Sequence, residues 1–321
     1  MRPRFFEPLA AMIAILVYGL SLASLGHAAD AAGGPAPAAA PSSQIKSPQY
    51  RELAPGVEIT IPPDRDDNDT HDQHDIVEIL QSGENLNWVP KTAPTSQTLA
   101  DKSRLADFRH RVWYLEFTFK PVRMIWVDVP QDTGKAQRKL IWYMVYRVKN
   151  MGGHLAPAPA EAGGYTTKTF SQDVRFFPHF VIEAPDYKKE YLDRLIPVAV
   201  EAIQQREDPQ RKLLNTVEIS TKPIPTSTDR VDRSVWGVAT WQDLDPRIDA
   251  FTVYVQGLTN AYRWRDKPGG FKKGDPPGTG RVLTHKTLVL NFWRPGDEFV
   301  EDKRIIRFGA PGKVDSTWVY R

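Results

Sequence analysis

Cysteine is missing from all 321 residues. That absence excludes a disulfide framework, a thiol nucleophile, cysteine-ligated zinc and lipid attachment through a cysteine. A chain without disulfides must be held by burial, and at this length it can bury a large core in one or two domains. Charge of one sign is lacking too: 42 Lys and Arg stand against 39 Asp and Glu, a net charge of +3. Electrostatic recognition therefore has to be local, and nucleic acid is not an expected partner. Long hydrophobic runs are absent beyond the N-terminal segment, so no later segment is expected to span a bilayer. Familiar catalytic signatures are absent as well. No G-x-S-x-G, H-E-x-x-H or G-K-[ST] occurs, and His110, His154, His179 and His285 fall one per expected element.

What is present begins with the N-terminus. Arg2 and Arg4 precede an apolar run from Leu9 to Leu25, and the small residues Gly26 and Ala28 stand at the −3 and −1 positions of a cleavage after Ala28. This predicts a secretory signal peptide over 1–28 and export to the periplasm, cell envelope or exterior. The Ala/Pro-rich stretch 29–48 reads as a low-complexity linker. A turn-rich lead with short helices is expected over 49–110, including "DIVEILQSG", with Asp75 as N-cap, Glu78 in the first turn and Gly83 as terminator.

From Val112 the apolar period is two. In "VWYLEFTF" Trp113, Leu115, Phe117 and Phe119 share a face. In "KLIWYMVYRVKN" Leu140, Trp142, Met144, Tyr146 and Val148 align, with Tyr143, Arg147 and Lys149 expected outward. In "AFTVYVQGLTN" the face is Phe251, Val253 and Val255. The pattern predicts a mainly β fold: one or two antiparallel, sandwich-like (Ig-like) units with a short intervening helical segment. The first β unit is expected over 111–184, the helical segment over 185–214 and the second β unit over 215–321, either separate from the first or continuous with it. Within "DYKKEYLDRLIPVAVEAIQQRE" Tyr191, Leu195, Val198 and Ala202 form the expected helical stripe, which Pro197 should kink or divide in two.

The segments "EFTFKPVRMIWVDVP", "RKLIWYMVYRVKN", "VWGVATWQDLDPRIDAFTVYVQGLTN" and "LNFWRPGDEF" resemble a group of exported proteins of planctomycete bacteria. The resemblance extends over most of Val112 to Arg321. It implies export and a shared fold and brings no activity or functional residue with it.

Three segments carry site chemistry. In "DRDDNDTHDQHD" oxygen donors Asp64, Asp66, Asn68, Asp72 and Asp75 have the spacing of an EF-hand loop, and calcium is the ion they suit. Asp69 stands where that loop needs glycine, Asp75 where it needs glutamate, and "ITIPP" is no incoming helix. His71 and His74 lie one turn apart only in a helix. The alternative is an acidic loop leading to a helix N-cap. No other cofactor is expected.

The second segment, "WQDLDPRIDA", offers Asp243, Asp245 and Asp249 for calcium or a hydrolytic carboxylate pair, against an ordinary Asp-Pro turn with Arg247 as counter-charge. The third, Ala261 to Lys286, sets seven Lys or Arg against two Asp, interleaved with aromatics. Tyr262, Arg263, Trp264, Arg265, Phe271, Lys272 and Lys273 are its candidate ligand-binding residues, cations for an anion and rings for a sugar.

The leading expectation is a binding or structural protein of the envelope, contacting an anionic envelope polymer or another envelope protein. A secreted hydrolase of glycosides or peptides built on the acidic loops is the alternative, and a subunit that polymerises through strand edges is a third.

Overall fold

Aromatic and branched residues at every second position assemble the core from two facing sheets, with three two-stranded sheets beside them. The computed structural model describes residues 56–74, 98, 102, 106–131, 134–161, 163–245, 247–266, 279–294 and 305–321. The chain divides into Met1–Ser47 and Pro48–Arg321. The first of these, with the expected signal peptide and most of the linker, lies outside the described residues, as does the expected helix after Asp75.

In chain order the strands begin with β1 (Ile59–Ile61), β2 (His71–His74), β3 (Ala106–Arg109), β4 (Glu116–Phe119), β5 (Arg123–Pro130) and β6 (Ala136–Lys149). They continue with β7 (His154–Pro159), β8 (Tyr165–Phe170), β9 (Val174–Arg175), β10 (His179–Ala184), β11 (Lys189–Leu192) and β12 (Pro223–Ile224). The last are β13 (Val235–Gln242), β14 (Ala250–Gln256), β15 (Tyr262–Asp266), β16 (Arg281–Trp293), β17 (Arg307–Phe308) and β18 (Ser316–Tyr320). Helices α1 (Pro197–Glu207) and α2 (Thr216–Ser220) interrupt them.

The first sheet has the order β1-β4-β6-β13, with β5 also on β6. The second has the order β11-β10-β14-β16-β15, with β17 and β18 also on β16. The ladders of both sheets are antiparallel. The fold is thus mainly β and sandwich-like. Strand β13 lies beside β6 in register from Val235↔Val148 to Gln242↔Ile141, so residues far apart in sequence share one sheet.

The interior is the inner faces of both sheets. Leu115, Phe117 and Phe119 meet Trp142, Met144, Tyr146 and Val148 on one side and Phe251, Val253, Val255, Leu288, Leu290 and Phe292 on the other. Rings cross the gap: Trp142 to Phe251 at 5.2 Å and Phe119 to Phe292 at 6.1 Å, both edge-on. At roughly 1.5–3 kcal/mol per large side chain buried, this face is the main source of stability in a chain without disulfides.

Tyr143 departs from its expected outward position. It is buried with Ile141 and Val145 in a second core against Ile196, Ala199 and Ile203. Helix α1 covers that outer face, so β6 is buried on both sides and alternation alone misassigns it. The helix is also shorter than expected. Pro185–Tyr187 forms a 3-10 turn and Lys189–Leu192 is strand β11, paired with β10. Of the kink or break expected at Pro197 the break is found: Pro197 starts α1, because at the first helical position its missing N–H is no loss. The buried residues of α1 are Ala199 and Ile203, whereas Leu195 and Val198 are exposed.

Candidate functional site

The acidic segment is a docked strap. Strand β1 pairs with the edge of β4, Ile61 opposite Phe117. Asp66 then caps the 3-10 turn Asp67–Thr70, accepting from Asn68 N at 3.0 Å and Asn68 Nδ2 at 2.9 Å. Asp67 accepts from the Thr167 hydroxyl at 2.6 Å, and Arg65 donates to the Gly152 carbonyl at 3.0 Å. His71–His74 is strand β2 on β3, so the helical spacing of its two histidines does not form. Asp72 Oδ2 accepts from the backbone N–H of Trp264 at 2.8 Å. Of the donors expected to converge on calcium, Asp66 and Asn68 bond each other, Asp64 meets Lys286 and Asp72 meets the Trp264 N–H, while Asp75 lies outside the described residues. Among the described residues no group of three or more His, Asp or Glu is arranged to hold a metal ion.

Asp69, the residue that breaks the EF-hand pattern, proves the most enclosed. Its side chain is fully buried, and Lys286 donates to Oδ2 at 2.6 Å with only 4% of its own side chain exposed. The Tyr114 hydroxyl donates to Oδ2 at 3.0 Å and the Tyr320 hydroxyl to Oδ1. Arg263 stands 3.8 Å from Oδ1, its guanidinium 4.1 Å over the Tyr320 ring. Lys286 also donates to the Asp64 carbonyl at 2.7 Å and lies 3.0 Å from Asp64 Oδ2. Burial, followed by the Asp69 charge, pushes the Tyr114 phenol far up, and burial followed by the Asp69 hydrogen bond does the same to Tyr320. Both remain hydroxyl donors. The cluster ties the strap to β16 and β18, and hydrogen-bonding every member offsets the cost of burying two charges.

The acidic and basic segments, read separately in sequence, therefore neutralise each other in part. Lys286 is internal, and Arg263 is committed to Asp69 and Tyr320. Arg265 is exposed on the same strand, opposite Val282 on β16. Tyr262 stacks on His110, ring centroids 4.5 Å apart, and Trp264 is held through its N–H by Asp72. Strand β3 adds Arg109, 3.9 Å over the exposed Tyr165 ring. Phe271, Lys272 and Lys273 lie outside the described residues.

Asp243 and Asp245 do not form an acid/base pair. Asp243 is exposed and accepts from Lys139 at 3.1 Å. The Asp245 side chain is only 7% exposed and takes both Arg247, at 3.0 Å, and Lys189, at 3.2 Å. The Arg247 hydrogen bonds hold its carboxyl well below the usual range, the opposite of what a general acid requires. This is a charge-compensated turn.

A second buried carboxylate was not foreseen. Glu207, the last residue of α1, accepts from Tyr143 at 2.7 Å, Arg123 at 2.9 Å and Lys120 at 3.1 Å. Burial opposes its ionisation, but these donors outweigh burial and lower its pKa. They also neutralise an anion at a helix C-terminus, where the macrodipole disfavours one.

Neither a family model, nor a curated protein, nor a solved structure matches this chain. The functional reading therefore rests on its own residues. A signal for the Asp69 cluster was present in "THKTLVLNFW": Lys286 has the same parity as the buried Leu288, Leu290 and Phe292. A lysine on an inward face demands a buried anion.

Proposed function

We propose that this chain is an exported, β-rich envelope protein that binds an anionic polymer through the aromatic and basic face of β15 and its hairpin with β16. The observation that carries this reading is the division of labour along β15. Arg263 and the Trp264 N–H are fixed to the Asp69–Asp72 strap, and the anchored ribbon presents Arg265 outward beside Val282. A pre-ordered ribbon presents cations and rings with less entropy to lose on binding. The N-terminal sequence supports export, as does the resemblance to exported planctomycete proteins. Among the described residues no helix is long and apolar enough to cross a membrane.

The test is equilibrium binding of the processed protein to immobilised polygalacturonate and to its neutral, methyl-esterified form. Retention on cell-envelope fractions across a salt series accompanies it. Binding should favour the anionic polymer, weaken as salt screens it, and fall in the triple variant Arg265→Ala, Lys272→Ala, Lys273→Ala. Equal binding to both polymers, indifferent to salt and to the triple variant, would remove the proposal.

A further inference from the structure

Lys286 and Asp69 are separated by 217 residues, yet the amine and carboxyl groups are in hydrogen-bond contact at 2.6 Å and shielded from water. A second carboxylate, Asp64, reaches Nζ at 3.0 Å, and two phenols hold the two oxygens of Asp69. We propose that Lys286 and Asp69 condense into an intramolecular isopeptide bond that fastens the N-terminal strap to strand β16.

The step balances without an external reagent. A proton moving along the existing hydrogen bond turns the ammonium and carboxylate into an amine and a carboxylic acid, with no change in total charge. The Lys286 amine attacks Cγ of Asp69 and a C–N bond forms. The Tyr114 and Tyr320 hydroxyls donate to the oxygens of the tetrahedral carbon, as an oxyanion hole does. Asp64 takes the proton released by nitrogen and returns it to the departing hydroxyl. The C–O bond breaks, and one water leaves for one amide formed. Fixed contact geometry raises the effective concentration of the amine. In water the separate ammonium and carboxylate are favoured over the amide, although an amide once formed hydrolyses very slowly; the enclosure of Asp69 and Lys286 keeps bulk water from the new bond.

Intact-mass spectrometry of the full processed chain, denatured before injection, tests this. The expected mass is one water below that of the sequence. Proteolysis should yield a branched peptide joining the residue-69 and residue-286 segments. The Lys286→Arg variant should return to full mass and lose that peptide. If that variant does not fold, Asp64→Asn keeps both reacting groups and should approach the lower mass more slowly after refolding. Full mass in the wild-type chain would overturn the proposal. So would a one-water deficit confined to a single linear peptide, which marks a succinimide. An unchanged rate in Asp64→Asn would overturn the role given to Asp64. None of these readouts depends on polymer binding.

Discussion

A Cβ on Gly237 would lie 2.5 Å from the phenol of Tyr146, its partner in register across β13 and β6. The missing side chain is filled by an aromatic ring from the neighbouring strand. Tyr146 is fully buried, and its hydroxyl has no hydrogen-bond partner among the described residues. Gly237→Ala forces the ring off its seat and is expected to cost about 1–3 kcal/mol, as overpacking does. Tyr146→Phe removes an unpaired polar atom and is expected to be neutral or to stabilise by about 1 kcal/mol. Urea denaturation of both variants reads this, and a clear loss in Tyr146→Phe would contradict it.

Glu207 is expected to be worth more than its place at a helix end suggests. Glu207→Gln retains an acceptor for Tyr143 but leaves Lys120 and Arg123 facing no charge. A loss of about 2 kcal/mol follows from giving up hydrogen bonds to a charged acceptor. A salt series separates it from a surface ion pair. The Glu207 side chain is only 3% exposed, so screening should change the loss little. A loss that vanishes in high salt would place the interaction at the surface.

The sheets were legible because the inward face of each core strand repeats with period two. Leu115, Phe117 and Phe119 announce it, as do Phe251, Val253 and Val255. Tyr143 was not legible, because α1 buries the second face of β6 and alternation cannot distinguish a solvated face from a covered one. The N-terminal half of the expected helix failed for a related reason: residues 189–192 pair with β10, and that ladder overrides a helical stripe. The Asp69 cluster is non-local. Its members come from residues 69, 114, 286 and 320, and only the inward parity of Lys286 hinted that an anion had to arrive from elsewhere.

Stability is expected to fall on mild acidification. Burial lowers the pKa of His154 and His110 below the ordinary 6.5, and for His110 the Asp72 and Asp69 charges offset only part of that. The folded value lies below the unfolded one, so below pH 6.5 the unfolded chain binds more protons. The contribution is complete above 6.5 and is lost as pH falls toward the folded values. The lowered carboxyls of Glu207 and Asp245 act in a separate window, with stability present above their ordinary 4.5 and 3.8 and lost below. Urea midpoints at about pH 7.5 and about pH 5.5 isolate the histidine window. His154→Gln keeps an acceptor for the Tyr114 N–H and should reduce the drop. Equal midpoints at the two pH values would refute this account.

Removing Lys286 should do the most damage of any single change outside the aromatic core. Lys286→Met leaves Asp69 buried against two phenols with only the Arg263 guanidinium, 3.8 Å away, as counter-charge, and breaking a buried ion pair costs about 3–5 kcal/mol. The loss arises whether the wild-type contact is an ion pair or an amide, because both vanish with the lysine amine. The double variant Asp69→Leu, Lys286→Met removes the stranded charge as well. If the single variant fails because of that charge, the double variant recovers most of the loss, and a double-mutant cycle gives a large coupling energy. If the covalent tie supplies the stability, the double variant recovers little, since neither variant can form the bond. Additive losses with no coupling would show that the strap is held by β1 and the Asp72–Trp264 hydrogen bond instead.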